Sequence, residues 1–178
     1  LPNAKVLTDS DGSVYVSTVF AIKKYSSNGT LLWSRDNEGN GYYDLVIYNE
    51  KIYLAGRFIN EVYLGGQTLS TDNSGIFLVN LDKATGDYFN ARVIAVNTET
   101  NNLKITSIAF VGEDDFIVDG VYSGNVTLGA FSFDSPGLTR EFVARYAGSD
   151  YSWAIQSSTA YGGNFYSSQP QSQLLSNS

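Results

Sequence analysis

The side chains with the clearest acid–base chemistry in this sequence are carboxylates, because its 178 residues include 18 Asp and Glu but 0 His and 0 Cys. A Ser-His-Asp or Cys-His nucleophile, a His general base and an imidazole zinc site are therefore excluded within the chain. A glycosidase-type pair needs only two acids about 5–10 Å apart. The acids that could supply it are Glu61, Asp72, Glu113, Asp119 and Glu141. No spacing motif joins them, so we interpret them as solvated loop and edge acids and predict no enzyme activity.

A short acidic turn, Asp9-Ser-Asp11-Gly12, resembles the start of a calcium loop, since hard cations bind several carboxylate and carbonyl oxygens. An EF-hand loop has glycine at its sixth position and a bidentate acid at its twelfth. Here Gly12 is fourth, and the twelfth residue counted from Asp9 is Phe20. We therefore predict a hairpin turn, no metal and no cofactor, and keep Asp9 and Asp11 as weak metal candidates.

Aromatic side chains near the junctions of the predicted units could stack on sugar rings. These are Tyr42, Tyr43, Tyr48, Tyr161 and Tyr166. Alternating aromatic residues in strands are usually core residues or cross-strand pairs. Carbohydrate binding is therefore the alternative function and not the preferred one.

Two N-glycosylation sequons are present, Asn28-Gly-Thr30 and Asn125-Val-Thr127. Such acceptor sites belong in surface loops of secreted proteins, and we predict both in exposed turns. They matter only if the source glycosylates its secreted proteins.

The composition predicts a globular β protein. Hydrophobic residues make up 43% and charged residues 16%, while 13 Tyr, 10 Phe and 17 Gly favour strands and tight turns. The net charge of −7 argues against nucleic acid and against anionic membranes as partners. No stretch approaches the roughly 18–20 apolar residues of a membrane span. We expect an all-β fold with no membrane insertion.

An internal repeat organises the chain. The stretch Ile52–Gly66 returns in degenerate form 64 residues later, since Gly56 and Gly65 correspond to Gly120 and Gly129. Both copies carry Val-x-Leu directly before the second glycine. The same order of elements extends on both sides of this stretch, so the repeat predicts an architecture.

We predict three units of four strands each, at about 3–36, 42–96 and 104–157 within a repeat domain of residues 1–157. Turns are expected at Asn28-Gly29 and loops at 72–75 and at Pro136-Gly137. Residues 158–178 are the start of a fourth repeat or a polar Ser/Gln-rich tail, and we expect a chain cut inside a repeat array.

The first unit is a shortened copy. Aligning Val14 with Ile52 and Ala21 with Phe77 leaves 7 residues where the second unit has 25, so the Val-x-Leu-Gly hairpin is missing. A large ring ends each unit, and we expect the three rings to occupy one equivalent core position. They are Trp33, Phe89 and Trp153.

Four-stranded units of this length are typical of β-propeller blades. The order of an Asp-x-x-Gly-like turn, x-Tyr-Val/Leu-x-Gly, Val-x-Leu-Gly-Gly, Phe-x-x-x-Tyr/Leu, Gly and Trp resembles the bacterial SBBP-type β-propeller repeat of secreted and surface proteins. The resemblance covers residues 3–157. It implies a binding or surface module with no shared active site, located outside the cell or at its surface.

Propellers close with about 4–8 blades, so three antiparallel blades form an incomplete array with open sheet edges. More chain or oligomerisation would complete it. We therefore expect a non-enzymatic structural or interaction module that mediates assembly or adhesion through propeller edges and loops. Its expected partners are other protein chains or further copies of itself, with glycans under the lectin-like alternative.

Overall fold

The computed structural model of the chain consists of antiparallel β-strands. It describes residues 4–18, 20–36, 41–98 and 103–161, and at residues 42, 43 and 161 the backbone alone. These ranges contain twelve strands and no helix, which confirms the predicted all-β antiparallel class. Within them there is accordingly no helix with the length and apolar character needed to cross a lipid bilayer.

The strands follow one another as three antiparallel groups of four, here named the first, second and third meanders. The first consists of β1 (Lys5–Thr8), β2 (Val14–Ser17), β3 (Ala21–Tyr25) and β4 (Leu31–Asp36). The second consists of β5 (Gly41–Tyr48), β6 (Lys51–Leu64), β7 (Gln67–Leu81) and β8 (Tyr88–Asn97). The third consists of β9 (Leu103–Gly112), β10 (Asp115–Leu128), β11 (Phe131–Ala147) and β12 (Asp150–Tyr161). β12 therefore runs past residue 157, where we expected the third unit to end.

The second and third meanders form one eight-stranded sheet. The end of β8 pairs with the distal half of β10, through Val96 with Thr127 and Asn97 with Val126. The N–H of Thr98 also donates to the carbonyl oxygen of Asn125 at 3.1 Å. The first meander remains a separate four-stranded sheet.

The turns follow from residues that accept positive φ. Asn49 and Glu50, with φ of 48° and 61°, connect β5 to β6, as a two-residue type I′ hairpin turn requires. The predicted turn at Asn28-Gly29 connects β3 to β4, with Gly29 at φ 87°. The loops predicted at 72–75 and at Pro136-Gly137 were wrong in that neither stretch ends a strand: both lie inside the long strands β7 and β11, at register shifts of the pairing with β6 and β10.

The second and third meanders each carry a long hairpin that folds back over its own sheet. β6 bends at Asn60 (φ 61°) and β10 at Gly124 (φ 76°), each beside a register shift. The tip of the β6–β7 hairpin returns to the base of its sheet, where a Cβ built on Gly65 would lie 2.2 Å from the carbonyl oxygen of Tyr88. A Cβ on Gly129 would lie 2.0 Å from a carboxylate oxygen at the start of β12. The first meander has no such hairpin, as the sequence predicted.

Two apolar cores hold the meanders together, because alternate residues of a strand point to opposite faces. The core between the first and second meanders, the 1/2 core, contains Tyr15, Ile22, Trp33, Leu45, Ile52, Leu54, Phe58, Val62, Leu64, Leu69, Phe77, Val79, Leu81 and Ala91. The 2/3 core contains Tyr53, Ala55, Ile76, Leu78, Ile94, Ala95, Leu103, Ile105, Ile108, Phe116, Val118, Tyr122, Val126, Leu128, Phe142, Ala144 and Tyr151. The second meander thus packs on both sides, and each back-folded hairpin fills the space toward the preceding meander.

The rings that end the three units share a register position but not an environment. Their cross-strand partners are Lys24 for Trp33, Asn80 for Phe89 and Arg145 for Trp153. Trp33 is 9% exposed in the 1/2 core, whereas Trp153 is 37% exposed and Phe89 is half-buried outside both cores. The expectation of one shared core position was therefore wrong. Trp33 is covered by the second meander, while the face that carries Trp153 has no described meander packed on it.

Candidate functional site

The side chain of Asp44 forms bonds that connect all three meanders. It lies in β5 and is 2% exposed. Its Oδ1 forms an ion pair with Lys5 of β1 and accepts the N–H of Leu45 at 2.9 Å. Its Oδ2 accepts the N–H of Ile108 of β9 at 2.8 Å. Such bonds offset the cost of burying a carboxylate, so Asp44 serves the fold.

Lys83 makes a second ionic link between the first and second meanders. Its Nζ pairs with Asp9 of the β1–β2 turn and lies 2.7 Å from Glu50 Oε2. Hydrogen bonds to these two carboxylates raise the pKa of Lys83, and the bond from Lys83 is the main cause that lowers the pKa of Asp9. The carbonyl oxygen of Lys83 also accepts Trp33 Nε1–H at 3.1 Å. These groups therefore hold the two sheets together.

The weak metal candidates, Asp9 and Asp11, act as acceptors within the β1–β2 turn. Asp9 Oδ1 accepts the N–H of Ser10 at 2.8 Å, and Asp11 Oδ1 accepts that of Ser13 at 2.8 Å. Asx bonds of this kind stabilise turns. In the part of the chain that the structure describes, no group of three or more His, Cys, Asp or Glu is placed to hold a metal ion.

Aromatic and cationic contacts join the second and third meanders. The Arg92 guanidinium lies over the rings of Tyr146 and Phe116, 4.7 and 5.4 Å from their centroids. Tyr151 Oη donates to the carbonyl oxygen of Ile94 at 2.7 Å, and burial raises the pKa of Tyr151. A cation–π contact contributes about 0.5–2 kcal/mol. These groups stabilise the interface between the second and third meanders.

Five tyrosines were proposed for sugar binding, and the structure describes the side chain of one of them. The side chains of four lie outside the described part of the structure: Tyr42, Tyr43, Tyr161 and Tyr166. The fifth, Tyr48, stacks on Phe110 with ring centroids 5.4 Å apart, and its Oη donates to the carbonyl oxygen of Val111 at 3.3 Å. Tyr48 thus packs between meanders, and a sugar platform at the other tyrosines stays a prediction.

The two sequons differ in setting. Asn28 lies in the exposed β3–β4 turn, as predicted, and its Oδ1 accepts Thr30 Oγ1–H at 2.9 Å. Asn125 lies inside β10, half-buried and paired with Asp134. The predicted exposed turn at Asn125 was wrong, because the chain reverses only at Gly129.

The structure brings two of the five candidate acids together. Asp119 and Val121 point to the same face of β10, and Val121 pairs with Glu141 of β11, so the two acids are diagonal neighbours. Burial, and after it the charge of Glu141, raises the pKa of Asp119. Glu113 forms an ion pair with Lys51, and the remaining two acids are exposed in the β6–β7 hairpin.

The outward face of the third meander, here named the tail face, is apolar around these two acids. Its members alternate with residues of the 2/3 core and are Ile117, Asp119, Val121, Glu141, Val143, Arg145, Trp153 and Ile155. Ile155 is 59% exposed. Arg145 is paired with Asp115 through bonds of 2.9 and 2.6 Å. Asp119 and Glu141 have no ion-pair partner among the described residues.

The outward face of the first meander, here named the head face, has no described strand or hairpin packed on it. Its members alternate with residues of the 1/2 core and are Val6, Val14, Val16, Ala21, Lys23, Tyr25 and Leu32. Val6 and Leu32 are 58% and 52% exposed. Lys23 lies at the centre of β3 and makes no ion pair with a described residue. Both ends of the stack therefore carry accessible apolar side chains.

Comparison of the chain with models of known protein families gives no match, and a search of the curated proteins gives no significant match.

Sequence reasoning missed both end faces, although the repeat carries a signal for one of them. Asp119 corresponds to Ala55 at the 64-residue offset of the repeat, so a charge replaces an alanine at a position that a neighbouring unit should cover. Asp44 has no comparable signal, because its partners Lys5 and Ile108 are 39 and 64 residues away.

Proposed function

We propose that this chain is a non-enzymatic structural and interaction module of the extracellular space or cell surface, built from three β-propeller-type blades. The three meanders are the blades, and they are of the SBBP type that the repeat resembles. The head and tail faces carry the contacts with other protein chains, by which the module assembles or adheres.

The observation that carries this proposal is the contrast between Trp33 and Trp153. Both rings occupy the same register position of their meander. Trp33 packs on the turn before β8, where a Cβ on Gly86 would lie 2.7 Å from its ring. Trp153 holds the corresponding position on the tail face with 37% of its surface exposed. An exposed apolar patch that repeats a buried one is typical of a surface that a partner covers.

Footprinting tests whether the end faces are covered in the native setting. The isolated chain at low concentration and the chain in intact surface material of its source are oxidised with hydroxyl radicals and compared by mass spectrometry. We expect oxidation of Trp153 and Leu32 to fall in the native material because a partner excludes water there. Tyr63, 61% exposed on the β6–β7 hairpin, is the internal control. Equal oxidation of Trp153 in both samples would contradict the proposal.

The proposed location has its own test. A membrane-impermeant amine reagent applied to intact source cells should label this chain at Lys51 of β6, whose side chain is 39% exposed and lies outside both end faces. Labelling that begins only after the cells are lysed would show an internal location and refute the surface assignment.

A further inference from the structure

Charged residues occupy two positions of the repeat at which the other copies bury an uncharged residue, and the first is on the head face. The equivalent pairs that point toward the preceding meander are Val16–Lys23, Leu54–Val79 and Val118–Ala144. All four residues of the second and third meanders are 0% exposed. Lys23 therefore stands where the other copies bury valine or alanine.

The second position is on the tail face. The equivalent pairs that point toward the following meander are Ser17–Ile22, Ala55–Leu78 and Asp119–Val143. Ala55 and Leu78 are each 1% exposed in the 2/3 core. Asp119 therefore stands where the second meander buries alanine, and it carries the charge opposite to that of Lys23.

The other charged residues near these positions do not change the opposite signs of the two faces. On the head face, Asp36 lies at the far end of β4, opposite Ala21. On the tail face, Arg145 is neutralised by its ion pair, and Lys104 of β9 lies opposite Val121. The centre of the head face is thus positive through Lys23, and the centre of the tail face is negative through Asp119 and its neighbour Glu141.

We propose that the tail face binds the head face of a second copy of this chain, with Lys23 of one copy beside Asp119 and Glu141 of the other. This inference rests on the proposed function and names its partner. The contact repeats the stacking found twice within the chain, where the forward face of one meander packs on the backward face of the next. Complementary charge in an apolar surround selects the partner and fixes its register.

The geometry of such an assembly follows from the use of two different faces. A contact between unlike surfaces is heterologous, so it continues from copy to copy until a ring closes or a filament grows. The head face has no back-folded hairpin, so strands of one copy would meet strands of the next directly, unlike the two interfaces within the chain. Association would cover Trp153 of every copy except one at an open end.

Charge reversal tests the proposal by sedimentation velocity from about 1 µM to about 100 µM chain, at about 0.15 M salt, where the repulsion of the net charge of −7 is screened. The wild-type chain should self-associate. Lys23→Glu alone, and Asp119→Lys with Glu141→Lys alone, should each weaken association at least about tenfold. An equimolar mixture of the two variants should recover it, because the head face of each variant then meets a tail face of opposite charge on the other.

Matched controls separate the contact from general charge effects. Glu61→Lys with Asp72→Lys changes the net charge equally on an exposed hairpin and should leave the association constant unchanged. Asp119→Asn with Glu141→Gln keeps the shapes, so it should fold and weaken association less than the lysine variant. Recovery in the mixture itself shows that both variants are folded.

Three results would overturn the head-to-tail contact: a wild-type chain that stays monomeric at about 100 µM, reversal variants that associate like the wild type, or a mixture that does not recover. The wider proposal is tested separately by footprinting. If Trp153 is protected in native material but the pure chain stays monomeric, the partner is another protein and only this inference fails. If the pure chain self-associates but Trp153 is not protected in native material, the proposed function fails instead.

Discussion

The N–H of Ile108 donates to Asp44 Oδ2 at 2.8 Å, which joins the third meander to the second through a carboxylate that also pairs with the first. A single buried side chain thus bonds across both interfaces between meanders. Asp44 is therefore a polar link among all three meanders, in addition to their two apolar cores.

Asp44→Ala should lower the free energy of unfolding by about 2–4 kcal/mol, because it leaves the Ile108 N–H without its acceptor and Lys5 without its partner. Urea unfolding followed by circular dichroism measures the change. Asp72→Ala, an exposed acid in β7, is the control and should cost no more than about 0.5 kcal/mol. Equal stability of the two variants would refute the linking role of Asp44.

The tip of the β6–β7 hairpin offers a comparison of two neighbouring glycines. Gly65 and Gly66 both have positive φ, 57° and 79°, so alanine at either position should cost about 1–2 kcal/mol from the backbone alone. At Gly65 the added Cβ would also meet the carbonyl oxygen of Tyr88, whereas at Gly66 the nearest atom is 3.9 Å away. Gly65→Ala should therefore cost about 1–3 kcal/mol more than Gly66→Ala. Equal unfolding midpoints would mean that the hairpin does not fold back in solution.

The two tryptophans test the difference between a covered and an uncovered register position. Trp33→Ala should lower the unfolding free energy by about 3–5 kcal/mol, since it opens a cavity in the 1/2 core. Trp153→Ala, measured on dilute monomer, should cost only about 1–2 kcal/mol, because much of the ring is already exposed. If both substitutions lowered the unfolding free energy equally, Trp153 would be buried in the isolated monomer and this prediction would be wrong.

Asp119 should make stability depend on pH. Its pKa is raised in the folded chain by burial and by Glu141, with Lys104 of β9 as the nearest cation on the neighbouring strand. The folded state therefore holds the proton more tightly, so this residue opposes folding increasingly as pH rises from the ordinary value of 3.8 through the raised pKa. Asp119→Asn should raise the melting temperature at neutral pH, and the gain should vanish below the ordinary pKa.

Melting curves of dilute wild type and Asp119→Asn, taken between about pH 3 and pH 8, measure this effect. Asp72→Asn is a matched control on an exposed acid and should follow the wild type throughout. A constant difference between Asp119→Asn and the wild type across the range would show that ionisation of Asp119 is not the cause.

Local features of the fold were predictable from sequence because they depend on neighbouring residues. Asn28-Gly29 accepts the positive φ of a hairpin turn, and the spacing of Gly56 and Gly65 reported a repeat whose bends and tips recur in the structure. The loop expected at 72–75 was wrong for an instructive reason. Asp72 and Asn73 lie at the register shift opposite the bend at Asn60, and pairing with β6 resumes at Ser74, so the polar residues mark a bulge and not the end of the strand.

Features that depend on packing between meanders could not be predicted from sequence patterns. The rings Trp33 and Trp153 align in sequence, yet their burial differs because only one of them has a following meander described beside it. Asp44 sits in a strand without a motif, and its role depends on partners far away along the chain. The pairing of the β10 hairpin with β8 likewise has no sequence signal, because each of these strands already has the residue pattern of a strand within its own meander.

The back-folded hairpin has a consequence for changes in chain length. Four residues separate Ser17 from its partner Ile22, whereas 22 separate Ala55 from Leu78, yet the two pairs are equivalent. Both ends of a hairpin leave and rejoin the sheet at paired positions, so its gain or loss displaces no other strand. The β2–β3 turn is thus a permissive site for grafting. A foreign peptide whose termini lie as close together as two paired strands could be displayed there without disturbing the scaffold.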